Sequence, residues 1–346
     1  MRIGVIGAGV IGALRVQSIL QNPATSLAGV LDSSKQAASD AVAGTGVRAF
    51  TDLDEFLDLD MDAVVVSTPP EFHEGAVRGA LERGRHVLCE KPLSNTVEAG
   101  RRMVDAARMA NRVLAVGFNF RYYPFMKFVK ASVDQGRIGK VDHVRIFGGH
   151  DGLHNFRAEW QYKAPASGGG AMMDVGIHTS DLARYVLGEV TSVYGFMSES
   201  VWHVPGSEDN AVAVFLSPGG IPATYHATWS EWRGYQTYIE VYGTHGMVRG
   251  SYAPMQNLLI TQDEPGAPRR KLRRFYPGIM VRERLKSWKA TALLSFKEEL
   301  RDFIARISGA RGLPLANGND GLRALELAAA VRRSTQTHEV VHLPPL

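Results

Sequence analysis

"RIGVIGAGVIGAL", residues 2–14, reads as a short apolar strand that turns on glycines straight into a helix. Within it, Gly7-Ala8-Gly9-Val10-Ile11-Gly12 has the G-x-G-x-x-G spacing with which a βαβ unit holds a dinucleotide. Gly7 permits the tight turn, Gly9 lets the backbone approach a pyrophosphate at the helix N-terminus, and Gly12 lets helix and strand pack closely. Val10 and Ile11 fall inside the same cofactor loop. Asp32 ends a second apolar run twenty residues beyond Gly12. A carboxylate there accepts the ribose hydroxyls and repels a 2′-phosphate, so NAD is the expected cofactor. Ser33, Ser34 and Lys35 follow it and leave NADP as the second choice. One arginine and twelve uncharged residues also give the opening the look of a secretory leader, but the glycine spacing accounts for it better.

Working outward, apolar runs at Arg2–Ile6, Leu27–Leu31, Ala63–Ser67, His86–Cys89 and Val113–Gly117 alternate with amphipathic stretches such as Val10–Gln21, Glu71–Arg83 and Thr96–Asn111. That rhythm predicts a doubly wound parallel sheet of Rossmann type. After about Arg121 the pattern changes. Residues 141–150, 190–201, 209–216, 221–230, 236–243 and 246–262 read as strands of a large, mostly antiparallel open sheet, with helices at 123–135, 174–187, 292–308 and 320–336. The expected division is a dinucleotide-binding domain over 1–121 and an α/β domain for substrate binding and oligomerisation over 122–346.

Length and composition agree with two soluble domains. At 346 residues the chain exceeds the roughly 150 typical of one domain, and 45% hydrophobic with 21% charged residues is the balance of a globular protein. No stretch reaches the roughly 18 apolar residues of a membrane span. A net charge of +4 is modest, and its excess lies mainly in "PRRKLRRF" (268–275), read here as a solvated loop, with binding of a phosphate or of a partner subunit's acidic edge as the rival, so no nucleic-acid partner is expected. The single cysteine, Cys89, excludes an internal disulfide framework and fits a reducing, cytoplasmic compartment. It reads as a buried small hydrophobe, with no histidine obviously dedicated to it.

Two further stretches carry chemistry. "HVLCEKPLS" (86–94) places Glu90-Lys91-Pro92 just after a buried parallel strand, at the carboxyl edge where open α/β sheets bind ligands, so Lys91 could donate to a substrate oxygen. "GGGAMMDVGIHTSDLARY" (168–185) holds Asp174 and His178 four positions apart, on one face of a helix. Metal binding, proton chemistry and plain helix support are all open to that pair. His150 and His154 are also four apart, but no Cys partners or H-E-x-x-H accompany them, so no metal site is expected.

The glycine loop, "TPPEFHEGAV" (68–77), "GRHVLCEKPLS" (84–94), "GFNFRYYP" (117–124) and "GGGAMMDVGIHTSDLARYVLG" (168–188) together resemble the Gfo/Idh/MocA oxidoreductase family in order and spacing. The resemblance covers residues 1 to 190. It implies that Lys91 contacts the reacting alcohol or ketone and that Asp174 and His178 enter the same pocket, with the histidine as acid/base. It further implies cofactor contacts from Ser67, Thr68, Pro69, His73, Glu90, Asn119 and Arg121, together with Lys91. It leaves Asp181 as helix support. Tyr122, His150, His154 and Trp160 are the added candidates for substrate contact, and Trp229, Trp232 and Tyr235 are aromatics that stack on sugars or fill cores with comparable ease.

The expected activity is hydride transfer between NAD and a secondary alcohol or ketone of a sugar, cyclitol or related polyol. His178 would take the hydroxyl proton, Lys91 would polarise the oxygen and Asp174 would orient the pair. Two alternatives stay open: an NAD-dependent glycoside hydrolase or lyase with no net redox change, and a non-catalytic dinucleotide sensor. A homodimer or homotetramer through the C-terminal sheet is expected, since such a sheet would otherwise leave an apolar face uncovered.

Overall fold

The computed structural model describes residues 1–152 and 158–344, which form two units. The first unit comprises Met1–Tyr122 and Leu285–Arg323; the second comprises Tyr123–Arg284 and Ala324–Leu346.

The first unit begins with β1 (Arg2–Ile6), α1 (Val10–Leu20), β2 (Ser26–Leu31), α2 (Lys35–Val42), β3 (Ala49–Phe50) and α3 (Leu53–Leu57). It continues with β4 (Ala63–Val66), α4 (His73–Glu82), β5 (His86–Cys89), α5 (Val97–Met109) and β6 (Leu114–Val116). The strand order β3-β2-β1-β4-β5-β6 is parallel throughout. Chain progression reverses between β1 and β4, and ligands bind open α/β sheets at the carboxyl ends of such a pair. β4 is buried at all four positions, as a strand covered on both faces must be.

In the second unit, α6 (Pro124–Asp134) leads into β7 (Val141–Gly149), followed by α7 (Ala164–Ser167), α8 (Ala171–Asp174) and α9 (Gly176–Leu187). Then come β8 (Ser192–Ser198), β9 (Asn210–Leu216), β10 (Pro222–Thr228), β11 (Gln236–Gly243), β12 (Gly246–Tyr252), β13 (Gln256–Thr261) and β14 (Arg270–Phe275). These strands join in the order β14-β13-β12-β11-β7-β10-β9-β8, antiparallel except for β7 against β10. α6 and α9 pack on the sheet. Along β9 the alternation is strict: Ala211, Ala213 and Phe215 are buried, whereas Val212, Val214 and Leu216 are exposed.

Three expectations need correction. After α10 (Pro277–Lys286) the chain returns to the first unit, where α11 (Lys289–Ile307) packs on α1 and β15 (Ala316–Asn317) adds an antiparallel edge to β6. The cause is apolar: Leu300 and Phe303 join Ile3, Val5, Val16, Ile19 and Leu88 in one core. A single break at 121/122 therefore misassigns Leu285–Arg323. The stretch 246–262 is a hairpin of two strands, turning at the cis Ala253–Pro254 bond. The basic run is an edge strand, β14, exposed at every position. Edge strands tolerate such charge because it disfavours pairing with further strands. The last two elements are α12 (Gly318–Thr337) and β16 (Val341–His342), the latter pairing with β8.

Candidate functional site

The glycine loop turns where β1 ends. Gly7 has φ of +95°, a left-handed conformation costly for other residues, and its N–H donates to Leu31 O at 2.7 Å. A Cβ on Gly12 would stand 1.8 Å from Gly7 O, so only glycine lets α1 approach the strand this closely. A Cβ on Gly9, by contrast, would meet nothing within 4 Å, and no side chain caps α1 there. The first turn of α1 thus has no side-chain cap and has room beside Gly9, as a phosphate-binding helix start requires. Val10 is exposed there, while Ile11 packs on the small cluster of Leu14, Ala292 and Phe296.

Asp32 is fixed beside this loop by two backbone donors, Ala8 N at 2.7 Å and Ser34 N at 2.8 Å. Each of its oxygens retains a lone pair for a ribose hydroxyl. Ser34 Oγ accepts from Ala37 N and so caps α2, and Ser33 is exposed. After β4, Ser67 and Thr68 pass close to Gly7, and their hydroxyls are buried with no partner among the described residues. A cradle with room at Gly9 and two orphaned hydroxyls opposite is what a dinucleotide would complete.

His73, expected at the cofactor, is fully buried. Its Nε2 lies 2.8 Å from Thr68 O, and its Nδ1 lies 3.3 Å from Cys89 Sγ. Nδ1 is also 3.1 Å from Pro92 O and 3.2 Å from Leu93 O, so the ring ties the Thr68 loop to the turn that follows β5. Burial holds this imidazole below its usual range. Cys89 therefore does have a histidine, and burial raises its thiol well above the ordinary value, which makes it structural. Lys91 is half-buried at the end of β5, at a cis bond to Pro92. Pro69 is half-buried one residue beyond Thr68.

The other expected cofactor residues face the returning segment. Asn119 Nδ2 donates to Ser295 Oγ at 2.9 Å. Arg121 donates to Pro314 O at 3.1 Å and lies 3.4 Å from Asp320. Glu90 accepts from Arg15 Nε at 2.7 Å, and Arg15 also meets Glu299. Tyr122, expected to touch substrate, is 2% exposed, and burial beside Glu299 and Asp302 raises its phenol far above the usual range. The segment 285–323 supplies the neighbours of Asn119, Arg121 and Tyr122, whereas Glu90 is held by Arg15 of α1.

In the second unit, Asp174 ends α8, Val175 keeps helical dihedrals, and His178 lies in the first turn of α9, 7% exposed. A Cβ on Gly176 would fall 2.3 Å from Tyr225 Oη, so the glycine between them lets α9 press onto β10. The preceding glycines have an equally physical reason: Glu208 accepts from Gly170 N at 3.0 Å and Met172 N at 2.9 Å, capping α8 from β9's approach. Burial raises the Glu208 carboxyl above its ordinary value.

Asp174 is held by two donors. His150 Nε2 lies 2.8 Å and Trp229 Nε1 3.2 Å from its Oδ2. Gly152 N donates to His150 Nδ1 at 3.0 Å, which fixes the Nε2–H tautomer and leaves that ring no lone pair for a metal. His150 was expected at a substrate hydroxyl. Both of its nitrogens are instead taken up inside the unit, and the ring lies near-parallel to Trp229 and Tyr235. Trp160 is half-buried on a 3₁₀ turn at Glu159–Tyr162, Trp232 is largely exposed, and His154 lies outside the described residues. Asp181 is buried within α9.

Residues 1–118 match the profile of an oxidoreductase family with an NAD-binding Rossmann fold, and residues 126–249 match the GFO/IDH/MocA C-terminal domain. Inositol 2-dehydrogenase of Rhizobium meliloti is 30% identical, with 96% of each chain covered. The chain belongs to the GFO/IDH/MocA family. A 1,5-anhydro-D-fructose reductase of Ensifer adhaerens is 27% identical over 99% of this chain and 98% of that one. Levoglucosan dehydrogenase in complex with NADH shares the fold, with a TM-score of 0.87 at 22% identity and full coverage of both chains.

As a GFO/IDH/MocA oxidoreductase the chain takes NAD, and the residues that fit it are the glycine loop, Asp32, and the Ser67 and Thr68 hydroxyls. Sequence reasoning missed Glu208, Arg15 and Glu299. Arg15 carried a signal nonetheless: a charge at a core position of α1 requires a buried partner. No helix among the described residues is long and apolar enough to cross a membrane.

Proposed function

We propose that this oxidoreductase transfers a hydride between NAD and a secondary alcohol or ketone of a sugar, cyclitol or related polyol. The observation that carries this reading is Asp174, a carboxylate oriented by His150 and Trp229 one helical turn before a buried histidine. When bound, NAD accepts or returns the hydride.

The chain's own residues do the rest. His178 takes the hydroxyl proton as oxidation proceeds and returns it in reduction. Asp174, oriented by His150 and Trp229, binds a neighbouring hydroxyl. Lys91 donates to the reacting oxygen and favours its alkoxide character. Asp32 selects NAD over NADP through its charge. Relatives named for inositol, levoglucosan and 1,5-anhydro-D-fructose support a polyol-sized substrate.

The second unit would bind the substrate and also pair with another copy of the chain, since Tyr194, Phe196, Val212, Val214 and Leu216 expose an apolar strip on β8 and β9. The single cysteine is consistent with a reducing, cytoplasmic setting. The test is a panel of polyols assayed for net NADH and, separately, NADPH formation. Turnover with NAD that is lost in His178→Ala and Lys91→Ala supports the reading; NAD binding without turnover of any polyol overturns it.

A further inference from the structure

Arg15 lies midway along α1, three residues past Gly12, and is 1% exposed. Its Nη2 is 2.5 Å from Glu90 Oε1 and 2.7 Å from Glu299 Oε2, and its Cζ lies 3.8 Å from the centre of the Phe296 ring. Glu299 is 1% and Glu90 8% exposed. A Cβ on Gly117 would meet Arg15 Nη2 at 2.8 Å and Glu90 Oε2 at 2.9 Å, so the end of β6 closes the remaining side.

Stability alone is a poor explanation for a guanidinium and two carboxyl groups in a core, because apolar residues of similar volume generally serve a core as well or better. An apolar replacement could not fix the direction of a carboxylate. Glu90 is the residue before Lys91, and its N–H already donates to Val66 O at 2.8 Å. Main chain and side chain together leave the start of the Lys91 loop one orientation. The cation that holds it belongs to α1, the helix whose N-terminus would receive the dinucleotide.

We propose that Arg15 and Glu299 are positioning residues that hold Glu90, and through the next peptide Lys91, in register with α1. The proposal rests on the reading of Lys91 as a substrate-contacting lysine. Glu299 is faced by Arg15 and Glu90, with Arg121 also acting on its charge, and burial pushes its carboxyl up to about 7. Loss of its proton near neutral pH changes the charge of the cluster, so the arrangement has a pH signature that a merely space-filling role lacks.

The test uses the full chain with NAD and the best polyol of the panel. Glu299→Gln keeps the volume and an oxygen for Arg15 but cannot ionise; Arg15→Lys keeps the charge but loses the planar, fixed fork that sets the direction of both carboxylates. Both are expected to lower kcat roughly tenfold to a hundredfold while KM and the NAD Kd stay within about threefold, and Glu299→Gln should lose an ionisation from the kcat–pH profile. Lys91→Ala run in parallel separates the failures. If it retains turnover, the reading of Lys91 is wrong. If it is inactive while Glu299→Gln and Arg15→Lys keep wild-type kcat between about pH 6 and pH 9, the positioning role is wrong. Should Glu299→Gln not fold, Arg15→Lys decides by its kcat alone.

Discussion

Replacing Glu299 with glutamine should remove a defined part of the protein's dependence of stability on pH. Burial raises this carboxyl from about 4.5 to about 7; Arg15 opposes the rise and Glu90 adds to it. In the unfolded chain the group ionises near its ordinary value, so the folded state holds the proton more tightly. The resulting stabilisation is fully present below about pH 4.5 and is lost as pH rises through about 7. At about 1.4 kcal/mol per pH unit, the loss across that window is about 3 kcal/mol. Urea unfolding of both proteins at about pH 5 and about pH 8 measures it. The wild type should lose up to about 3 kcal/mol more than Glu299→Gln between the two conditions. Parallel losses, within about 0.5 kcal/mol, would refute the claim that this carboxyl is buried and strained by its neighbours.

Three further outcomes are expected. Asp32→Ala should weaken NADH binding roughly tenfold to a hundredfold and NADPH binding less, read by nicotinamide fluorescence titration; equal losses for both would remove the carboxylate from cofactor choice. Trp229→Phe deletes an N–H donor to Asp174, a bond worth about 1.5–3 kcal/mol, and should lower kcat/KM by about tenfold or more with the fold intact by circular dichroism. Val214→Glu, on the exposed face of β9, should shift the assembly toward monomer in sedimentation; an unchanged mass would place the contact between copies elsewhere.

What was legible in the sequence was local. The glycine loop could be read because Gly7 and Gly12 answer constraints within a few residues, and Asp174 and His178 because helical spacing fixes their relation. The partners of these groups were not legible. His150 and Trp229 reach Asp174 across 24 and 55 residues, and nothing in their immediate surroundings shows that their N–H groups point at one carboxylate. The return of 285–323 was hidden for a related reason. α11 is amphipathic wherever it packs, and the choice of α1 as its neighbour lies in the match of Leu300 and Phe303 to one core. That return supplies partners for Asn119, Arg121 and Tyr122 that the sequence does not reveal. β14 was read as a loop because its charges mask the alternation of a strand that has only one paired side.

Hydride transfer itself can be followed by isotope. A polyol substrate carrying deuterium on the carbon bearing the reacting hydroxyl is incubated with NAD, and both products are analysed by mass spectrometry. The account predicts one deuterium in the reduced cofactor for each ketone formed, with both products lost together in His178→Ala. Ketone formed with unlabelled NADH, or substrate cleaved with no net NADH, would contradict it.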